Sequence, residues 1–358
     1  MAPRPLPGIL DIEPYKGGEA TIPGIAKPVK LASNENPLGS SPTARRAFAD
    51  AANALEIYPE GGATLLREAI AKRYGLNPAR IVCGAGSDEI FALLGRAYLA
   101  PGDDIVQSQY AFLIYAIVAK AAGADVRTAM DRDYTVDVDA MLAQVTPRTK
   151  IVWVANPNNP TGTYLSAHEM RRLHAGLPAH VLLVIDAAYA EYVRKNDYAA
   201  GVELVSEFDN VIMTRTFSKI HGLAALRLGW AYGPATVIDA LNRVRLPFNV
   251  NTPAMKAGIA ALEDTAFPEH SADHNAAELE RVASALTGMG YNVTPSVANF
   301  VLMHFPPGKA PQADAFLRSR GYILRPLKAY GLPDALRLTI GRTEDNDGVL
   351  VAFKDFAK

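Results

Sequence analysis

Between residues 42 and 245 the chain repeats one pattern: a short apolar run rich in Val and Ile, a stretch with helical periodicity, then another apolar run. Nothing else in the sequence constrains the fold as strongly. The runs are Arg80 to Cys83, Asp104 to Gln107, Lys150 to Ala155, Val181 to Asp186, Asn210 to Arg215 and Arg227 to Tyr232. Continuous hydrophobicity suits strands covered on both faces of a mainly parallel sheet. The amphipathic stretches between them, such as Ala63 to Tyr74, Ser87 to Leu99 and Ser166 to Leu177, suit the covering helices. The pattern predicts an α/β layered domain. One connection departs from it: Arg215 to Leu226 is polar, contains Gly and carries no helical signal, so it reads as a loop suited to function more than to packing.

After residue 250 the character changes. A long helical stretch from about Ala254 to Met289 is interrupted near Phe267 and Pro268. Short strand signals follow at Asn299 to His304, Tyr322 to Leu324 and Ala335 to Ile340, then a C-terminal helix. This predicts a smaller α+β domain. A length of 358 residues suits two such domains. The boundaries are drawn as a Pro-rich N-terminal arm (1–40), a large domain (41–248) and a small domain (249–358).

Charge excludes some functions. A net charge of -1 gives no electrostatic reason to bind nucleic acid or an anionic membrane. No apolar stretch has membrane-spanning length. The single cysteine, Cys83, excludes an internal disulfide and any cysteine-rich metal site, and makes a reducing cytoplasm the simplest location. The histidines form no metal-binding spacing; His168 and His174 lie on different helical faces. No metal is expected.

Four local motifs carry chemistry. Val181 to Asp186 is an apolar strand ending in a carboxylate, at the strand end where open α/β sheets bind ligands. A buried carboxylate needs a partner, and a protonated pyridine nitrogen would serve; an N-cap or a metal ligand are the plainer alternatives. Thr216, Ser218 and Lys219 follow the next strand. Lys219 can meet an aldehyde carbon while the two hydroxyls hold a phosphate, with Arg227 adding charge-assisted bonds. Alone, Lys219 would read as a surface lysine. Asn156 to Gly162, Asn-Pro-Asn-Asn-Pro-Thr-Gly, is a rigid turn at a strand end whose Asn amide can donate to a phenolic oxygen. Gly84-Ala85-Gly86-Ser87-Asp88-Glu89 is a strand-to-helix turn suited to phosphate. A dinucleotide fingerprint needs glycine where Glu89 stands, so a nicotinamide dehydrogenase is disfavoured.

With these motifs in this order and spacing, the chain resembles the fold-type I pyridoxal-phosphate aminotransferases of class I/II over roughly residues 10 to 350. The resemblance implies a mainly parallel seven-stranded sheet sandwiched by helices, with a small α+β C-terminal domain. It implies pyridoxal 5'-phosphate as cofactor and a homodimer acting on a small-molecule amino donor and keto-acid acceptor. Lys219 matches the lysine that bonds the cofactor, Asp186 the partner of its ring nitrogen, and Asn159 and Tyr189 the pair at its phenolic oxygen. Ala85 and Gly86 match phosphate contacts through backbone N–H groups, and Thr216, Ser218 and Arg227 through side chains. Tyr110 matches the aromatic stacked on the ring, and Tyr58 a tyrosine reaching the phosphate from the other subunit. Arg337 matches the arginine that binds substrate carboxylate. Ala187 departs from the Asp-Glu-Ala-Tyr string of many relatives, at a position that need not touch the ring.

Within the family, the segment Lys30 to Gly39, including Asn34, is similar to the branch that transaminates histidinol phosphate. Tyr15 matches an N-terminal tyrosine that closes over substrate. Arg325 with Arg337 would present two guanidinium groups to a substrate phosphate. An aromatic amino acid aminotransferase and an amino-acid-phosphate decarboxylase are the alternative readings. A regulatory module with an N-terminal DNA-binding domain is disfavoured, because the likeness starts near residue 10.

Overall fold

The computed structural model describes residues 3–357. Its centre is a seven-stranded sheet built from β1 (Ile81–Gly84), β2 (Asp104–Ser108), β3 (Asp125–Ala129), β4 (Thr149–Ala155), β5 (Leu182–Asp186), β6 (Val211–Thr216) and β7 (Gly229–Tyr232). The strand order is β1-β7-β6-β5-β4-β2-β3. All neighbours pair in parallel except β7, which runs antiparallel to β1 and β6.

The apolar runs fill two cores at once. On β4 and β5, Val152, Val154, Leu183 and Ile185 face one layer, while Ile151, Trp153, Leu182 and Val184 face the other. The second layer is covered by α1 (Ser87–Tyr98) and α2 (Ile114–Ala121), through Ile90, Phe91, Leu94, Tyr115 and Val118. Helices Thr64–Tyr74, Ala167–Ala175 and Thr252–Glu263 contribute to the first. β3 gave no signal of its own, because Asp125 to Thr128 lie at the sheet edge, partly exposed, and three of the four are polar.

Register positions the functional loops. Ala155 lies opposite Asp186, and Asp186 opposite Thr214. The segments following β4, β5 and β6 therefore leave the sheet side by side at its carboxyl edge, where open α/β sheets hold ligands.

The small domain is a four-stranded antiparallel sheet: β8 (Asn292–Thr294), β9 (Phe300–His304), β10 (Arg325–Leu327) and β11 (Leu332–Thr339), in the order β10-β11-β9-β8. Helices Lys309–Ser319 and Thr343–Phe356 pack against it. Residues Val29–Lys30 pair in parallel with Tyr322–Ile323, which ties the base of the N-terminal arm to this domain. Two features differ from the sequence reading. Helix Thr252–Glu263, expected in the small domain, sends Ala254, Ala257, Ala261 and Leu262 into the large-domain core, so the change of domain falls after Glu263 and not at 248. The helical interruption falls at Asp264–Thr265 instead of Phe267–Pro268. Pro268 sits in the first turn of helix Ala266–Gly288, where a missing N–H costs nothing. Among the described residues no helix is long and apolar enough to cross a membrane.

Candidate active site

The carboxyl edge of the sheet, the small domain and the arm line one cleft of about 200 Å³, open to solvent. Of the residues singled out in the sequence, Tyr15, Asn34, Asn159, Asp186, Tyr189, Thr216, Ser218, Lys219, Arg227, Arg325 and Arg337 line it. They come from segments up to 322 positions apart, between residues 15 and 337.

At one end are hydroxyls and a guanidinium. Thr216 Oγ1 donates to Ser218 Oγ at 2.9 Å, and Arg227 Nη1 donates to the same oxygen at 3.3 Å. Arg227 Nη2 pairs with Asp88 Oδ2 at 3.2 Å. A Cβ on Gly86 would lie 2.5 Å from Arg227 Nη2, so the glycine leaves room for the guanidinium. Gly229 is needed for a similar reason. A Cβ there would lie 2.4 Å from the Ser87 nitrogen, so β7 could not pass the first turn of α1. The backbone donors differ from expectation. Ala85 N–H donates to Glu89 Oε2 at 2.5 Å, and Gly86 N–H donates to Gly84 O at 2.8 Å. Both are taken up within the turn. Ser87 and Asp88, at the start of α1, line the cleft instead, where helical N–H groups lack intrahelical acceptors.

At the other end Asp186 is 6% exposed. Tyr115 Oη donates to its Oδ2 at 2.7 Å, and Thr214 Oγ1 lies 3.4 Å from its Oδ1. Burial pushes the carboxyl pKa up to about 6; the Tyr115 hydrogen bond opposes this, and the charge of Asp88 adds to it. A buried carboxylate in this state is well matched to a cation brought in by a ligand.

Lys219 also lines the cleft, its Nζ donating to Ser33 O at 3.0 Å and standing 5.7 Å from the centre of the Tyr189 ring. Burial, with the nearby Arg337 charge, pulls the amine pKa down to about 8, against the opposing pull of Glu35 and Asp88. Tyr189 Oη accepts from Asn34 Nδ2 at 2.9 Å, which leaves its own proton for another acceptor. Burial raises the Tyr189 pKa, so that proton stays on. Asn34, expected to touch substrate, has its amide engaged at both atoms: Nδ2 with Tyr189, Oδ1 with Thr339 Oγ1 at 3.0 Å. Its backbone adopts the left-handed conformation at φ 56°. The Asn34 amide thus ties the Tyr189 hydroxyl to Thr339.

Two arginines close the opposite wall. Arg337 is buried, stacks over Phe300 at 5.1 Å, donates from Nη2 to Ala32 O at 2.8 Å and bonds Asn159 Oδ1 through Nη1. Arg325 is more exposed; its Nη2 donates to Lys16 O at 2.7 Å and its guanidinium lies 6.0 Å from the Tyr15 ring. Tyr15 packs edge-on against Phe112, with ring centres 6.3 Å apart.

Two further residues singled out in the sequence, Tyr58 and Tyr110, do not line the cleft of their own chain. Tyr58 is 79% exposed and stacks on Phe248 at 4.8 Å, in an apolar groove with Ile57, Leu65 and Met255. Tyr110 stacks on Tyr134 at 5.6 Å, and Phe112 occupies the cleft wall instead. The sequence reading missed Tyr115, Phe112, Ser33, Gly229 and Tyr330. Strand parity was the available signal for Tyr115: Asp186 continues the Leu182–Val184 face, the face that α2 covers.

The donor set fits pyridoxal phosphate. An anion stands ready for a protonated ring nitrogen, hydroxyls with a guanidinium suit a phosphate dianion, and a half-buried amine of lowered pKa faces the same cleft.

Residues 26–353 match the family described as aminotransferase class I and II. A histidinol-phosphate aminotransferase from Maricaulis maris (strain MCS10) is 57% identical, with 100% of both chains aligned. A protein of the same name from Rhodopseudomonas palustris (strain HaA2) is 55% identical over 99% of this chain and 98% of its own. The crystal structure of histidinol-phosphate aminotransferase from Sinorhizobium meliloti in complex with pyridoxal-5'-phosphate superposes with a TM-score of 0.90, at 25% identity over 100% of this chain and 98% of that one.

Proposed function

The chain belongs to the class I and II aminotransferases, and from that premise we propose that it transfers the amino group of histidinol phosphate to 2-oxoglutarate, using pyridoxal phosphate. One observation carries the reading: Asp186, buried at the end of β5, and Lys219, half-buried in the loop just after β6, face the same cleft as Arg325 and Arg337. Full-length identity of 55–57% to relatives named for this reaction supports the substrate.

Pyridoxal phosphate, when bound, supplies an aldehyde that bonds amines and a ring that takes up the electron pair left by a departing α-proton. Thr216, Ser218, Arg227 and the first turn of α1 hold its phosphate. Asp186 keeps a proton on the ring nitrogen, since its ionised form is stabilised by that charge. Tyr189 donates its hydroxyl proton toward the phenolic oxygen, aimed by the Asn34 amide. Lys219, partly neutral near its pKa of about 8, would take the proton from the amine-bearing carbon of the substrate and deliver it to the carbon that came from the cofactor's aldehyde. Arg325 and Arg337 bind the substrate's anionic group, and Tyr15 covers it from the arm.

A homodimer in the cytoplasm is part of the same proposal. Exposed Leu55, Ile57, Tyr58, Leu65, Leu246 and Phe248 form an apolar surface suited to a second copy, which would bring Tyr58 to the neighbouring cleft. The deciding assay compares kcat/KM for histidinol phosphate and phenylalanine, each with 2-oxoglutarate. The proposal predicts a clear preference for the phosphate substrate and a keto product. A preference for phenylalanine would transfer the chain to the aromatic enzymes, and release of CO₂ would make it a decarboxylase.

A further inference from the structure

Asp186 ends β5 on the face that Leu182 and Val184 occupy, and that face is covered by α2. The helix places Tyr115 over the strand end. Tyr115 is 1% exposed, stacks on Trp153 at 4.9 Å and 12°, and meets Phe91 and Phe112 edge-on at 5.3 and 5.9 Å. Three aromatic rings thus leave its hydroxyl one direction, and along it lies Asp186 Oδ2 at 2.7 Å. The other groups at this carboxylate are Thr214 Oγ1 at a long 3.4 Å, the Ala188 N–H, and the charge of Asp88 from the start of α1. Tyr189 and Tyr198 also lie within electrostatic range, and burial holds both in the neutral form.

We infer that Tyr115 is a positioning residue: its hydroxyl orients the Asp186 carboxylate and keeps it ionised to receive the protonated ring nitrogen of the cofactor. This rests on the pyridoxal-phosphate reading above. A phenol donating to a carboxylate stabilises the charged form, and here it opposes the burial that raises the pKa of Asp186. Tyr115 does not line the cleft, whereas Phe112, which contacts both Tyr115 and Tyr15, does. The contacts Tyr15–Phe112–Tyr115–Asp186 run unbroken from the arm to the ring-nitrogen site.

The test measures pyridoxal-phosphate affinity of the full chain, stripped of cofactor, from pH 5 to 9, for the wild type and three variants. Tyr115→Phe removes one oxygen and keeps the ring stacked on Trp153. Affinity falls on the acid side as Asp186 takes up a proton. With Tyr115→Phe that fall moves to higher pH by about one unit, making binding ~10-fold weaker on the acid side and nearly unchanged at pH 9. Replacing Tyr115 by 4-aminophenylalanine restores a donor and moves the fall back toward the wild-type position. Phe91→Leu loosens the same ring packing, keeps the hydroxyl and leaves the position of the fall unmoved. A Tyr115→Phe profile that overlays the wild type overturns the inference, as does an equal shift in Phe91→Leu. A wild type that binds no pyridoxal phosphate at any pH defeats the cofactor reading itself, a result distinct from either.

Discussion

The two ends of the cleft are built differently. The cofactor end is formed by β5, β6 and the start of α1, whose register fixes Asp186, Thr214 and the following loops side by side within a buried core. At the substrate end the outer part of the arm is held by few contacts: Lys16 and Glu19 to Arg325 and Arg318 of the small domain, and the half-exposed Tyr15 against Phe112 of the large one and near Arg325. Rigid neighbours suit chemistry that must be placed within fractions of an ångström. A loosely held wall can open, admit two different substrates in turn and close again. The contrast predicts that mutations at the first end affect turnover, and mutations at the second affect recognition.

The strongest challenge to that division is Lys219→Ala. With no amine to move the proton, turnover falls by roughly 10⁴-fold or more while the fold persists, measured by single-turnover kinetics alongside circular dichroism. Asp186→Asn follows, lowering kcat by ~10²–10³ because a neutral amide no longer holds a proton on the ring nitrogen. Arg325→Ala belongs to the other end. Losing one charge-assisted bond raises KM for histidinol phosphate by about tenfold, leaves kcat within a few-fold and does not change cofactor affinity. If it lowered kcat as Asp186→Asn does, the two ends would not be separable.

The smallest effect is thermodynamic and has the opposite sign. Asp186 has a pKa of about 6 in the folded, cofactor-free chain, against 3.8 for the unperturbed group. Below about pH 4 both states carry the proton. Between those values the folded chain holds a proton that the unfolded chain has lost, so stability declines as pH rises through 6 and stays lower above it. Asp186→Asn removes that cost and stabilises the cofactor-free chain at neutral pH by about 2–3 kcal/mol, read from the shift in urea midpoint. On the proposed reading, the residue that destabilises the empty protein is the one that meets the cofactor's ring nitrogen.

How much of this could be read in the sequence follows from how local each signal is. β4 and β5 were legible because Ile151 to Val154 and Leu182 to Ile185 must be apolar on both faces. β3 was hidden because an edge strand needs no such run. Lys219, Asp186, Thr216, Ser218 and Arg227 stood out through spacing set by a strand end and a short loop. The hydrogen bonds of the Ala85 and Gly86 N–H groups were not legible, because they depend on where Glu89 folds back, a matter of three-dimensional geometry. Helix Thr252–Glu263 was assigned to the wrong domain because its helical pattern does not say which core it enters. Tyr115 and Asn34 act through partners 71 and 155 positions away, and no local motif records such pairs.

The central claim is a bond between one lysine and one aldehyde, and it can be trapped. The protein is loaded with pyridoxal phosphate, reduced with borohydride to make the amine–aldehyde bond permanent, digested, and mapped by mass spectrometry. The account predicts the cofactor's mass on the peptide containing Lys219 and on no other. Label on a different lysine, or none at all, would contradict it.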